Sequence, residues 1–494
     1  MAASFAASKR IEELATEKPA KLLLKYSWPA LVAMTLNSLY TVVDRAFIGH
    51  GCGVDATAGL TLAMPLMMLF GAFGVFIGAG HAAVLSIKLG AGDRVSCEKL
   101  LGQLVSFKLL FFLILMPLVY FNLDTILVWC GAERLSFGAA EAARKYLKLV
   151  LFSNLFSHLA FGLSAMLRAE GGAIRSMNCM IVGFGLNLAL DPILIFGCGM
   201  GIEGAAWATN IAMFLSFLWA FGYYWRGKSI IRLRLGRLGF YPKLAFRALG
   251  IGLSPFLQHL MSSVIAFSLQ YAFVKWMPDE AARTARLASL GVYQSALILV
   301  FMPMLGAQQG IQPILGYNWG ARNFGRVLET LKTGLVVTAV IAFFAFVIQV
   351  IPPFNTWMAS IFITAERADV VSIAAKDLQI SSCMIWCIFA NVVATTYFQS
   401  IGKPAVAIFL SMLRQGICLL PVIWIFPYFM EDKALAIWLS MPISDVVCNA
   451  VTLIPLFAHA NFIRKLSCKK MKIPPCADEK DLVYYAPVDP KGRH

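Results

Sequence analysis

Charged side chains are scarce in this sequence, because Asp, Glu, Lys and Arg make up only 14% of its 494 residues while 59% are hydrophobic. A soluble domain has about 25% charged residues. A soluble chain of this length would also divide into several domains joined by polar linkers, and the sequence contains no such linkers. The composition therefore excludes a soluble enzyme.

Motifs of catalytic, redox and nucleotide-binding proteins are also missing. The eleven cysteines are scattered through apolar runs and form no CxxC pair, so we interpret them as small buried hydrophobic residues. There is no Walker sequence, and direct use of ATP is therefore not expected. The net charge of +16 is concentrated in short segments between apolar runs, which favours contact with lipid headgroups over contact with nucleic acid. We expect no cofactor and no nucleic-acid partner.

What the sequence does contain is long apolar runs, each long enough to cross about 30 Å of hydrocarbon as a helix. They predict an all-α membrane protein with twelve transmembrane helices. The predicted spans are 22–48, 57–88, 99–121, 143–167, 176–197, 202–225, 245–275, 287–315, 327–351, 373–398, 404–427 and 434–461.

The distribution of Lys and Arg predicts the orientation of these spans. The loops on the side of the N-terminus hold about three times as many basic residues as the loops on the other side, which places both termini in the cytoplasm. The predicted organisation is an N-terminal segment 1–21, a first lobe 22–225, a basic linker 226–244, a second lobe 245–461 and a cytoplasmic tail 462–494. We assign no function to the tail.

The two halves of the chain resemble each other at an offset near 226 residues. Val43–Phe47 aligns with Leu269–Phe273, and Leu89-Gly90 aligns with Leu315-Gly316. Six spans, a basic loop and six similar spans form two pseudo-symmetric six-helix lobes. This plan is typical of transporters, although a channel can also carry a repeat.

Acidic residues inside the spans need a functional reason, because a charged group at the bilayer centre costs about 2.5–3.5 kcal/mol. Counting about 1.5 Å per residue from the nearest basic anchor places Asp44, Asp191 and Thr209 at one depth of the first lobe. Asn187 precedes Asp191 by four residues and therefore shares its helix face. Oxygen groups of this kind suit a small hard cation such as Na⁺, and they suit a proton equally well.

The second lobe lacks this acid pair. Gln270 occupies the position of Asp44 in the repeat, so we expect ion coupling to reside in the first lobe. The role of Asp377 and Asp445 stays open. A hydrogen-bonded pair that only holds helices together is the structural alternative for the acids of the first lobe.

Several stretches resemble signatures of the multidrug and toxic compound extrusion (MATE) family, in its bacterial DinF/MepA-like branch. The resemblance covers residues from about 21 to 464 and is carried by Pro29–Gly49, Leu167–Gly171, Asn187–Phe196, Gly204–Thr209 and Gly310–Ala321. It implies a V-shaped transporter of two six-helix lobes in the bacterial cytoplasmic (inner) membrane. Such a protein would export cationic and amphipathic organic compounds in exchange for H⁺ or Na⁺.

The resemblance also implies roles for individual residues. Asp44 and Asp191 would couple transport to the ion, with Asn187 and Thr209 as partners and, if the ion is Na⁺, as further metal ligands. Pro29 would bend the first helix. The positions assigned to the substrate cavity are Asn37, Asn154, Ser164 and Gln270. The expected partners are small organic cations and the lipid bilayer, and we expect a monomer.

The main alternative is a lipid-linked oligosaccharide flippase of a related superfamily. Such proteins often carry basic residues in their cavity to hold phosphates. Here the basic residues within the spans are mainly Arg45 and Lys108, which favours a cationic cargo.

Overall fold

The computed structural model describes residues 10, 12–129, 133, 136–227, 229–277, 279–362 and 368–468. All regular secondary structure within these ranges is helical, and they contain no β-strand. The predicted all-α class is confirmed. Residues 469–494, which form most of the predicted tail, lie outside the described ranges.

In the first half of the chain, the described residues form a series of helices from Pro19 onwards. They are α1 (Pro19–Gly90), α2 (Arg94–Phe121), the short α3 (Leu123–Trp129), α4 (Phe137–Ala169), α5 (Ala173–Pro192), α6 (Gly201–Trp225) and α7 (Pro242–Trp276). A π-helical segment, Ile193–Gly197, continues α5.

In the described part of the second half, eight α-helices follow. They are α8 (Glu280–Gly320), α9 (Phe324–Val350), α10 (Phe354–Phe362), α11 (Ala368–Ser382), α12 (Ile388–Ser400), α13 (Pro404–Met412), α14 (Leu420–Ile425) and α15 (Lys433–Cys468). The 3₁₀ turn Ile385–Cys387 joins α11 to α12, and the π-helical segment Leu413–Leu419 joins α13 to α14.

Eleven helical segments in the described ranges are long and apolar enough to cross a membrane. They correspond to the predicted spans from 57–88 onwards. The first predicted span, 22–48, is also helical and forms the part of α1 that precedes Gly53. At Gly53 the backbone leaves the helical region, with φ 80° and ψ −173°, a conformation that only glycine adopts without strain. Two predicted helices are thus joined end to end at this residue.

The chain forms two compact units, residues 1–17 with 24–256 and residues 18–23 with 257–494. The first unit has an apolar core that includes Ile48, Leu147 and Ala206, all fully buried or nearly so. The second has a core around Trp438, whose ring packs against Phe273. The first unit includes the segment between α6 and α7 and continues to residue 256, inside α7. The predicted lobe boundaries stay predictions.

The internal repeat is visible in the turns between helices. Gly92 and Arg322 both have positive φ, at 76° and 59°. In each turn the next residue caps the following helix: the Asp93 side chain accepts from Ser96 N, and the Asn323 side chain accepts from Arg326 N. These turns are 230 residues apart. The predicted alignment of Leu89-Gly90 with Leu315-Gly316 is therefore wrong by four residues, because α8 is longer than the corresponding part of α1.

Candidate functional site

Four polar residues predicted to act together meet inside the first unit. We call them the acid cluster: Asp44 on α1, Asn187 and Asp191 on α5, and Thr209 on α6. Asn187 and Asp191 are fully buried, and Asp44 and Thr209 are each only 6% exposed. The side chains of Asp44 and Asp191 interact directly. Two acids from helices remote in the sequence therefore share one buried environment.

Asn187 connects α5 to α6 within this cluster. In the amide orientation that satisfies all neighbours, its nitrogen donates to Asp191 Oδ2 at 3.0 Å, and its oxygen accepts from Thr209 N at 3.1 Å and from Thr209 Oγ1 at 3.2 Å. The Thr209 hydroxyl also lies 3.0 Å from the carbonyl oxygen of Ala205. The amide thus holds the carboxylate of Asp191 in a defined position relative to α6.

The backbone changes conformation next to the acid cluster. Pro192 has no amide hydrogen and cannot complete the α-helical pattern, and the chain adopts a π-helical turn from Ile193 to Gly197 immediately after it. Cys198 N closes this turn by donating to Ile193 O at 2.9 Å. π-helical turns inside α-helices are frequent at functional sites, and this one lies directly after Asp191.

Tyr40 also belongs to this environment, although the sequence analysis did not single it out. It precedes Asp44 by one helical turn on α1, and its hydroxyl interacts with Thr209. Its ring stacks on Phe184 of α5 with a centroid distance of 5.3 Å and an interplanar angle of 18°. The spacing of four residues from Asp44 was the signal that could have identified it.

The remaining predicted residues of the first unit lie at various places. Asn37 is half-buried, and Pro29 is buried in a part of α1 whose backbone stays helical. Asn154 is 8% exposed and donates to Val150 O at 3.2 Å. Ser164 is fully buried and bonds to the Ser176 hydroxyl at 2.6 Å, so it joins α4 to α5 in this conformation.

The predicted cavity residue of the second unit, Gln270, is exposed on α7. The two other acids considered from the sequence are both buried in ion pairs. Asp377 on α11 pairs with Arg286 of α8. Asp445 on α15 accepts from Arg414 Nε at 2.7 Å.

Arg414 lies inside the predicted span 404–427, but it was not among the predicted site residues. It lies in the π-helical segment Leu413–Leu419, its side chain is 11% exposed, and its guanidinium faces the ring of Phe301 at 5.7 Å. The second unit therefore carries a compensated pair of opposite charges, whereas the first unit carries two acids.

Lys108 is the buried basic residue of α2, and it is only 2% exposed. Its ammonium group donates to the carbonyl oxygens of Gly74, at 3.3 Å, and of His158. A Cβ added at Gly162 would lie 2.6 Å from Lys108 Cε, so the side chain fills a slot that glycine leaves open. Its charge is directed at backbone carbonyls of the first unit. The side chain of Arg45 lies outside the described residues.

The chemistry available to the acid cluster is that of oxygen groups in a dry environment. Carboxylate, amide and hydroxyl oxygens are ligands of hard cations, and two neighbouring buried carboxylates repel each other unless a proton or a cation intervenes. The arrangement can therefore hold one H⁺ or Na⁺, with Asp44, Asn187, Asp191 and Thr209 as the candidate ligands of Na⁺.

Comparison with known proteins agrees with this architecture. The MatE family model matches residues 29–193 and 260–425, which together cover more than half of the chain. The multidrug export protein MepA of Staphylococcus saprophyticus is 23% identical over 437 residues, which cover 88% of this chain and 93% of MepA.

Solved structures show the same fold. A crystal structure described as MATE in the straight conformation has a TM-score of 0.82 at 21% identity, and covers 92% of this chain and 98% of that one. A crystal structure described as MATE in the bent conformation also has a TM-score of 0.82, at 20% identity, with 93% and 99% covered. The similarity in fold is therefore equal for the two conformations.

Proposed function

This chain belongs to the MatE family and is a multi-pass membrane transporter, and we propose that it exports cationic and amphipathic organic compounds by antiport with H⁺ or Na⁺. The observation that carries the proposal is the acid cluster, in which Asp44 and Asp191 interact inside the first unit. The name of the relative MepA, a multidrug export protein, supports the type of cargo.

The proposed coupling rests on competition for negative charge. When the acid cluster is ionised, its charge attracts an organic cation to the first unit. When H⁺ or Na⁺ occupies the cluster, the charge is neutralised and the attraction is lost. Thermodynamic linkage then requires that ion and cargo each weaken the binding of the other by the same factor. An ion entering down its gradient on the outside therefore drives release of the cargo there.

We place the conformational response on α1, which carries Asp44. Pro29 lies on the same helix about four turns before Asp44. Proline weakens a helix because it removes a backbone hydrogen bond. A change in the charge of Asp44 would therefore alter the bend of α1, with Asn37 and Asn154 contacting the cargo in the first unit. A cargo contact at Gln270 stays a prediction from the sequence.

The basic side chains support a cationic cargo over a phosphate-bearing lipid. Lys108 is buried against the carbonyl oxygens of Gly74 and His158, and Arg414 is paired with Asp445. Neither is presented to a phosphate group in this conformation. This observation weighs against the lipid-linked oligosaccharide flippase.

We further propose that the protein acts as a monomer in the bacterial cytoplasmic membrane with both termini inside. The excess of Lys and Arg in the loops on the N-terminal side supports this orientation. A labelling experiment with a membrane-impermeant thiol reagent on single-cysteine variants would test it.

The decisive experiment measures transport of ethidium by the purified protein in liposomes, with a pH gradient and a Na⁺ gradient applied separately. We expect one gradient to drive transport and Asp191→Asn to abolish it, because the substitution removes a charge from the acid cluster. Equal transport by Asp191→Asn and the unmodified protein under both gradients would overturn the proposed coupling.

Asp124→Asn is the matched control. It makes the same chemical change in the same unit, at a side chain that is 67% exposed and paired with Arg144. We expect transport by this variant to equal that of the unmodified protein. Monodisperse elution of both variants in size-exclusion chromatography would show that loss of transport by Asp191→Asn reflects lost coupling and not lost folding.

A further inference from the structure

The segment between α6 and α7, residues 226–241, connects two membrane spans. One span ends at Trp225 and the next begins at Pro242, so the described residues of this segment lie close to the membrane boundary. It carries an exposed set of basic and apolar side chains that we call the linker surface. These are Arg226, Arg232, Arg234, Leu235, Leu238 and Phe240.

The segment is fixed to the first unit by carboxylates. The Ser229 hydroxyl donates to Glu170 Oε1 at 2.7 Å, and Ile230 N donates to Glu170 Oε2 at 3.1 Å. Further along, Arg237 Nη1 lies 2.6 Å from Glu98 Oε2. Glu170, in the turn after α4, and Glu98, near the start of α2, thus hold this segment near both of its ends.

Backbone contacts with α2 complete the attachment. Gly239 N donates to the Ser106 hydroxyl at 3.1 Å, and Gln103 Nε2 donates to Tyr241 O at 3.2 Å. A Cβ added at Gly102 would lie 2.3 Å from Arg237 O, which shows how closely the two backbones approach. The segment is therefore a docked element with a defined outer face.

Alternation along the chain separates the two faces of this segment. Ile231 and Leu233 are buried, with 1% and 9% of their surface exposed. Arg232 and Arg234, which each follow one of these residues, are exposed. Leu235 then exposes 65% of its surface. The outer face thus combines positive charge with apolar side chains.

The charges on the outer face are only partly compensated within the protein. Arg234 Nε lies 3.2 Å from Glu98 Oε2, which Arg237 also contacts. Arg226 and Arg232 are exposed and form no ion pair with any residue in the described part of the chain. The linker surface therefore has net positive charge that a ligand can neutralise.

We propose that the linker surface is a binding site for the phosphate headgroups of anionic phospholipids in the surrounding bilayer. Arginine presents planar donor groups that match a phosphate. Apolar side chains at the membrane boundary enter the region between headgroups and acyl chains. Positive charge near the surface favours anionic over zwitterionic lipid by about fivefold per residue, the equivalent of about 1 kcal/mol.

A basic loop that serves only to orient the protein during insertion would need no defined structure. The docking through Glu170 and Glu98 holds Arg232 and Leu235 on one face, which is what simultaneous contact with a headgroup and an acyl chain requires. This geometry distinguishes a lipid site from a general orientation signal.

The test compares retention of phosphatidylglycerol and phosphatidylcholine by the purified full chain in native mass spectrometry. We expect the unmodified protein to prefer phosphatidylglycerol, and Arg226→Gln/Arg232→Gln to lower that preference by about 10- to 25-fold. Equal retention of phosphatidylglycerol by the double variant and the unmodified protein would overturn the proposal.

Lys145→Gln/Lys376→Gln is the matched control, because it removes the same formal charge from exposed side chains on α4 and α11, away from the linker surface. We expect it to leave lipid retention unchanged. A loss as large as that of the arginine variant would reduce the effect to net charge and would contradict a defined site. Displacement of phosphatidylglycerol by millimolar inorganic phosphate would instead indicate a soluble ligand and would also contradict it. The readout involves no transport, so it is independent of the proposed antiport.

Discussion

Replacement of Asn187 by alanine should identify the coupling ion, because H⁺ and Na⁺ depend on this amide in opposite ways. The amide nitrogen donates to Asp191 Oδ2 at 3.0 Å, and the amide oxygen lies within the same buried cluster. A hydrogen bond to a charged group contributes about 1.5–3 kcal/mol, which corresponds to a factor of about 10 to 150 in ion affinity.

If the ion is H⁺, loss of the donor destabilises the ionised carboxylate, and transport should reach half its maximum at a lower proton concentration than in the unmodified protein. If the ion is Na⁺, loss of the amide oxygen removes a candidate ligand, and the Na⁺ concentration at half-maximal transport should rise. The assay is ethidium transport in liposomes as a function of external pH or Na⁺.

Asn210→Ala is the control for this comparison. Asn210 is the next residue after Thr209 on α6, is 9% exposed, and donates to Leu149 O at 3.1 Å. The substitution Asn210→Ala removes a buried amide similar to that of Asn187, but outside the acid cluster. We expect its ion dependence to match that of the unmodified protein. An unchanged ion dependence in folded Asn187→Ala would refute the assigned role of Asn187.

Two further predictions concern groups outside the acid cluster. Burial raises the pKa of Glu170, which lies between two spans, from 4.5 to about 7 against the opposing effects of the Ser229 hydrogen bond and the Arg10 charge. The folded protein therefore holds a proton that the unfolded chain releases. The free energy of unfolding should therefore fall by about 3 kcal/mol as the pH rises from 4.5, the ordinary pKa of the group, to about 7, its pKa in the folded protein. Melting temperatures in detergent from pH 5 to 8 should decline for the unmodified protein and stay nearly level for Glu170→Gln, and parallel curves would contradict this. In the second unit, Asp445→Asn should destabilise by about 3–5 kcal/mol because it leaves Arg414 buried without its partner. Arg414→Gln/Asp445→Asn should recover part of this loss in the same assay, and a double variant no more stable than the single one would argue against a simple ion pair.

The local features of the acid cluster were predictable from the sequence. Asn187 and Asp191 share a helix face because they are four residues apart, and the depth of Asp44 follows from the constant rise of a helix. The packing of α1 against α5 could not be derived in the same way. The spacing of Asp44 and Asp191 does not specify which sides of two remote helices pack together. The four-residue spacing places Tyr40 on the helix face of Asp44, but its contacts with Phe184 and Thr209 depend on the same packing of remote helices.

The second unit shows the limit of sequence reasoning more sharply. Arg414 lies within the predicted span 404–427 and was not singled out, and the role of Asp445 stayed open. The two residues are 31 positions apart in the chain, yet they form one ion pair. The segment 226–241 was similarly recognised as a basic linker, while its attachment to Glu170 and Glu98 required the folded structure.

Helix existence, approximate span limits and the internal repeat were therefore determined by the sequence itself. A bilayer leaves each spanning segment no alternative to satisfying its own backbone hydrogen bonds, so hydrophobic length alone predicts the helices. The pairing of polar side chains was decided by tertiary structure. In a helix that is apolar on nearly every side, the composition of a face does not indicate its neighbour, and packing between helices selects which buried charges meet.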